Sequence, residues 1–106
     1  MAKGILYVES QPGSAEEAAA YHTWYEHTHM KEMLGIEGII AARRFESLSD
    51  DGVFVAIYEI EADDIGAVRA RLAESTRAGA FSPPRGLRTD PPPTVRFYRQ
   101  IASRTA

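Results

Sequence analysis

Residues 37–61, EGIIAARRFESLSDDGVFVAIYEIE, decide the fold. Two runs rich in β-branched and aromatic residues, Glu37 to Leu48 and Val53 to Glu61, flank Ser49-Asp50-Asp51-Gly52. Asp supplies a side-chain acceptor and Gly a left-handed backbone, so the stretch reads as two strands joined by a tight reversal. Upstream, residues 15–34 contain neither Gly nor Pro and read as one long helix. Ser14 and Glu17 have capping-box spacing at its start, and Gly35 falls where a left-handed C-cap belongs. Before the helix, Lys3 to Glu9 (KGILYVE) reads as a strand closed by Gln11-Pro12-Gly13. Downstream, Asp63 or Asp64 caps a second helix through about Arg77, with Ile65, Val68 and Leu72 spaced for one apolar face. Ala78 to Pro93 holds five of the six prolines and reads as a long irregular loop. Thr94 to Ala102 (TVRFYRQIA) reads as a last strand. The order is β-α-β-β-α-β. That is an α+β, ferredoxin-like split βαβ arrangement, a four-stranded antiparallel sheet with both helices on one face.

The chain of 106 residues is too short for two cores, so residues 1–106 are expected to form a single domain. A sheet covered only on its helix side should alternate apolar and polar residues. These strands do not. Val53, Val55 and Ile57 oppose Phe54, Ala56, Tyr58 and Ile60; Ile5 and Tyr7 oppose Leu6 and Val8; Ile39, Ala41 and Phe45 oppose Ile40 and Ala42. Two apolar faces with helices for only one call for a second copy of the sheet, an isologous homodimer.

Other classes fall away on composition. With no cysteine there is no disulfide framework, thiolate nucleophile or Cys-ligated metal. A net charge of -3 and the absence of a basic-aromatic stripe argue against nucleic acid. The run Ile5 to Val8 is too short for a signal sequence or membrane span, so a cytoplasmic protein is expected.

All three histidines, His22, His27 and His29, fall in the long helix. At 100° per residue His22, Tyr25, Glu26 and His29 share a sector with Ala15, Ala18 and Met33, which is expected to face the sheet. His27 falls elsewhere, beside Ala20, Trp24 and Lys31, and reads as solvated. Small alanines beside titratable and aromatic groups leave room for a pocket, and a buried imidazole titrates near neutrality. Glu26 and His29 form Glu-x-x-His, a metal-binding spacing, but no second such motif accompanies it. His22 and His29 stand about 10 Å apart along the axis, awkward for one ion. No metal is expected. Arg43 and Arg44 face opposite sides of a strand; whichever meets the pocket would hold an anion, and the other reading is an ion pair with Glu46. Tyr7, Tyr58 and Tyr98 stand mid-strand, as ligand-binding hydroxyls or as amphipathic core residues. Phe81 to Arg85 in the Pro-rich loop would close a pocket, embrace a neighbour, or stand free at the surface.

The string Trp24-Tyr25-Glu26-His27-Thr28-His29, then Gly35-Ile36-Glu37-Gly38 and Ala42-Arg43-Arg44-Phe45, resembles the dimeric α+β barrel superfamily, and within it the EthD-like branch. The resemblance covers residues 3–61 by motif and the remainder by element order. It implies a homodimer whose two sheets close a barrel, with a pocket in each protomer between sheet and helices. Members include cofactor-free monooxygenases, polyketide cyclases, decarboxylases, a hydroxynitrile lyase, muconolactone isomerase and haem-binding enzymes. His29 matches the histidine of the motif, and Trp24 and Tyr25 its aromatic pair. The Pro-rich loop is longer than the connection usual in that family.

Together these imply a small cofactor-independent enzyme of lyase, cyclase or isomerase type. It would act on a hydrophobic, aromatic or polyketide-like carbonyl compound. His29, Tyr25 and Arg44 are the expected catalytic residues, for proton transfer, orientation and oxyanion stabilisation in turn. His22, Trp24, Tyr7, Arg43 and Tyr58 are expected to bind substrate. The alternatives are a cofactor-free monooxygenase and a non-catalytic dimer that binds a small ligand.

Overall fold

A computed structural model describes residues 1–106. The strands are β1 (Ala2–Ser10), β2 (Ile39–Glu46), β3 (Phe54–Ala62) and β4 (Thr94–Arg99), in the antiparallel order β2-β3-β1-β4. The first helical rod runs through α1 (Ala18–Trp24), a π-helical turn (Tyr25–His29) and α2 (Met30–Leu34); α3 (Ile65–Arg77) is the second. This is the ferredoxin-like arrangement expected from the hairpin and its flanking helices. Leu6, Ile39, Ala56, Tyr58 and Ile60 of the sheet bury their side chains against Tyr21, Trp24, Tyr25, Met33, Ile65 and Val68 of the helices. No helix is long and apolar enough to cross a membrane.

Local chemistry sets most boundaries as expected. Asp64 caps α3 by accepting from the Gly66 N–H at 2.9 Å. In the hairpin turn Asp51 accepts from the Val53 N–H at 3.0 Å, and Gly52 takes φ +70°. Ser14 and Glu17 pair as anticipated: the Glu17 N–H donates to Ser14 Oγ, and that hydroxyl to Glu17 Oε1, both at 3.2 Å. Regular helix nevertheless starts at Ala18, because residues 14–18 are closed by tighter i to i+3 bonds. Gly35 is not the left-handed cap: its φ is -76°, and i to i+3 bonds to Glu32 and Met33 end the rod. The left-handed residue is Gly38, φ +102°, where a β-carbon would lie 2.6 Å from Val68 Cγ2. β4 ends at Arg99, short of Ala102.

Two irregularities overturn side-chain directions read from simple periodicity. Ile39 pairs with Ile60 but Ala41 with Glu59, so Ile40 is an extra residue, a β-bulge. Ile39 therefore faces the helices while Ala41 and Phe45 face away, and Ile40 is left 55% exposed. In the rod, the Met30 N–H reaches back five residues to the Tyr25 carbonyl. Trp24 and Met33 are nine residues apart, which is about 180° on a regular helix. Both are buried, because the π turn rotates everything after it back toward the sheet. The buried stripe is thus centred on Tyr21, fully enclosed, rather than on His22; Glu26 is exposed.

The opposite face of the sheet carries Ile5, Tyr7, Phe45, Val55, Ile57 and Tyr98, by register. Phe45 is 50% exposed and Tyr98 46%. This is the second apolar face anticipated from strand parity, with no helix over it.

Candidate active site

Residues 78–93 fold back across the helical side of the sheet as a strap. Gly86 O accepts from the Gly13 N–H at 2.7 Å, and the Arg88 N–H donates to Gln11 O at 2.9 Å. Between these ties and α3, Glu32 Oε2 accepts from both the N–H and the hydroxyl of Ser82, each at 2.9 Å. Beneath the strap lies a cavity of about 530 Å³, within the range of small-molecule sites. Leu6 and Val8 form its floor, Met33 and Leu72 its helical wall, and Phe81 and Leu87 its roof. Trp24, Tyr25 and His29 enter it from the rod.

The π turn builds this cluster. Residues five apart diverge by about 140° on a regular helix. Here His29 lies over Trp24 with ring centroids 4.6 Å apart and planes within 20°. Tyr25 and Phe81 meet the imidazole edge-on at 5.4 and 5.9 Å. His29 Nδ1 is enclosed without a hydrogen-bond partner, as is Trp24 Nε1. Enclosure holds the imidazole below the ordinary histidine range, partly offset by the Glu32 carboxylate. Near neutral pH His29 is uncharged and able to accept a proton.

A second cluster lies across Tyr25. The Arg44 guanidinium carbon stands 4.4 Å from the Tyr25 ring centroid, 5.3 Å from that of Tyr21 and 5.7 Å from that of Phe54, an aromatic box for a cation. Its Nη1 donates to Glu26 Oε2 and to His22 Nδ1, both at 3.2 Å, so Nδ1 is the unprotonated nitrogen of His22. Burial, then the Arg44 charge, hold His22 below its usual range, offset by Glu26 and Glu46. Arg44 Nε and Nη2 and the Tyr58 hydroxyl are enclosed and unpartnered. Burial pushes the Tyr58 phenol far up and raises that of Tyr25, with Ser10 and Arg44 opposing for Tyr25.

The expected site residues therefore divide into three groups. His29, Tyr25 and Trp24 line the cavity. Arg44 and His22 do not; they flank a separate cleft of about 330 Å³ with Glu26, Glu46, Phe45 and Phe54. Tyr58 is enclosed in the core beside neither opening. Arg43 and Tyr7 sit on the far face of the sheet, where Arg43 pairs with Glu59 at 3.1 Å and Tyr7 donates to Glu9 at 2.9 Å. Arg44 pairs with Glu26, so neither arginine takes Glu46 as partner. Trp24, grouped by periodicity with solvated His27, is 6% exposed because the π turn and the strap cover it. Sequence reasoning put Met33 and Leu72 on inward faces without assigning them to the site, and it missed Tyr21 and Phe54, which box Arg44, and Leu87 of the cavity roof. The aromatic spacing of Tyr21, Trp24 and Tyr25, at i, i+3 and i+4, was the available signal for Tyr21.

The two lowered histidines make stability depend on pH. In the unfolded chain each titrates near 6.5; in the fold each titrates lower. Below 6.5 the unfolded state takes up protons that the folded state refuses, so stability is complete above that pH and falls as the pH drops. The urea midpoint is expected to decline between pH 7 and pH 5.5, and His29→Phe to flatten part of that decline. An undiminished slope in the variant would move the proton uptake to another group.

No profile of a known protein family matches the chain, and no curated protein matches it. Among solved structures it is similar to a protein of unknown function from Nitrosomonas europaea, at 15% identity and a TM-score of 0.58. The superposition covers 100% of this chain and 96% of that one. At that identity the likeness speaks for fold alone: the chain is a small α+β protein of ferredoxin-like arrangement.

Proposed function

We propose that this protein is a cofactor-independent enzyme in which His29 moves a proton on a hydrophobic, aromatic or polyketide-like carbonyl compound held beneath the strap. The chemistry is that of a lyase, cyclase or isomerase. The observation that carries the reading is a neutral, half-buried imidazole, its Nδ1 enclosed, on the wall of an apolar cavity of about 530 Å³. A base in such a place removes a proton from carbon next to a carbonyl, or returns one, without a metal. Tyr25 positions the ligand against His29. Arg44, stacked on Tyr25 and outside the cavity, acts through that ring as a positioning residue rather than by touching an oxyanion.

Exchange of the α-protons of a hydrophobic ketone in heavy water, followed by NMR, reads this chemistry directly. The wild type is expected to accelerate the exchange, and His29→Gln to lose about 10²-fold or more of the acceleration while still binding the ketone. Equal exchange by the variant would make the protein a ligand-binding module instead of an enzyme.

The same reading puts the chain in the dimeric α+β barrel superfamily, on its EthD-like branch, as a cytoplasmic homodimer. The support for a dimer is the uncovered apolar sheet face around Ile5, Ile57 and Phe45. Light scattering at micromolar concentration is expected to return twice the chain mass, and Ile57→Arg to return the monomer. A monomeric wild type would remove the barrel.

A further inference from the structure

The lining of the cavity contains no Asp, Glu, Lys or Arg. Its titratable groups are His29 and Tyr25, and burial keeps the first deprotonated and the second protonated. The charged side chains nearest to it stand outside the lining. Arg44 is bound to Glu26 and His22 on the far side of Tyr25. Glu32 is bound to the strap through Ser82. Arg85 lines not the cavity but an adjoining groove with Ala19, Ala20, Thr23 and Thr28, which shares Trp24 and Ser82 to Pro84 with it.

An anion placed in this cavity would leave water and meet no standing counter-charge; proton uptake by His29, which burial disfavours, would have to supply one, and Glu32 would repel it. A neutral ligand loses little on entry and gains the apolar walls. From this we infer that the site selects uncharged molecules, ketones or phenols with an aromatic or alicyclic body, and rejects carboxylates and phosphates of the same shape. The inference rests on the cavity being the ligand site proposed above, and it replaces the arginine-bound anion that the sequence pattern invites. Ligand oxygen is held by neutral groups alone.

Two probes of equal shape separate charge from fit: 2-acetonaphthone, which ends in a methyl ketone, and 2-naphthoate, which ends in a carboxylate. Binding is followed at pH 7.5 by calorimetry and by the NMR signals of the His29 ring. The ketone is expected to shift the His29 signals and to bind at least about a hundredfold more tightly than the naphthoate. Val95, 54% exposed on the cavity wall, can take a long side chain with its head in water. Val95→Arg is accordingly expected to raise naphthoate affinity at least about tenfold relative to the ketone. Naphthoate binding as tightly as the ketone in the wild type, with the same His29 shifts, would overturn the selection by charge and leave the site itself standing. If neither probe moved the His29 signals at millimolar concentration, the cavity would not be a ligand site and both readings would fall.

Discussion

Tyr58→Ala is expected to cost about 3–5 kcal/mol, the range for deleting a large buried aromatic side chain. Tyr58 is fully enclosed in mid-β3, opposite Leu6 of β1 and Ala42 of β2, at the centre of the sheet. Small domains have about 5–15 kcal/mol in all, so the variant should lose about a fifth or more of its stability. Tyr58→Phe should act in the opposite direction. The hydroxyl is enclosed with no hydrogen-bond partner, and a desolvated hydroxyl left unpaired costs about 1–3 kcal/mol. Removing it keeps the ring and ends that penalty, so the urea midpoint should hold or rise. A loss of more than about 1 kcal/mol in Tyr58→Phe would show that the hydroxyl is bonded in solution, with the free Arg44 donors as the obvious source.

Gly86→Ala is expected to release the strap. Gly86 has φ +67°, which costs any other residue about 1–2 kcal/mol. A β-carbon there would stand 2.5 Å from the Glu17 carbonyl oxygen and 2.9 Å from the Tyr21 nitrogen. Both are backbone atoms at the start of the first rod, so neither can swing aside. The strap must lift, which breaks the bond from Gly13 and uncovers Leu87 and Phe81. The combined loss should be at least about 2 kcal/mol, with hydrogen exchange accelerated at Gly13 and Arg88. Gly79 supplies the control within the same strap. Its φ is +68°, but a β-carbon there meets nothing within 4 Å. Gly79→Ala should therefore show the backbone cost alone, and the difference between the two variants isolates the collision. Equal effects would mean that the strap does not rest on the rod in solution.

Much of the fold was legible because each element carries its own punctuation. Asp51-Gly52 marks the hairpin, Asp64 the start of α3, and the Gly-free, Pro-free run the first rod. What escaped were two local insertions that change phase without changing composition. Ile40 shifts the parity of β2, and the π turn shifts the wheel of the rod; neither has a residue signature that strand alternation or a 3.6 repeat would expose. The site was legible in its residues but not in its grouping. His29, Tyr25 and Trp24 converge, yet Arg44 stands behind Tyr25 and Arg43 across the sheet. Adjacent strand residues always diverge, so the Arg-Arg pair guaranteed that one would face away. Which one did so depended on the bulge at Ile40, three residues before Arg43.

The π turn also bears on how such a protein can be recognised. A relative whose rod kept the ordinary repeat would need one residue fewer between Trp24 and Met33 to present the same buried stripe. Aligning the two would require a single-residue gap inside a helix, beside the motif that names the site. A gap-free alignment would superimpose the residues before Tyr25 and set every residue after it one place out of step. In that frame His29 would be matched with a residue facing another way, and two sites of the same construction would look unrelated.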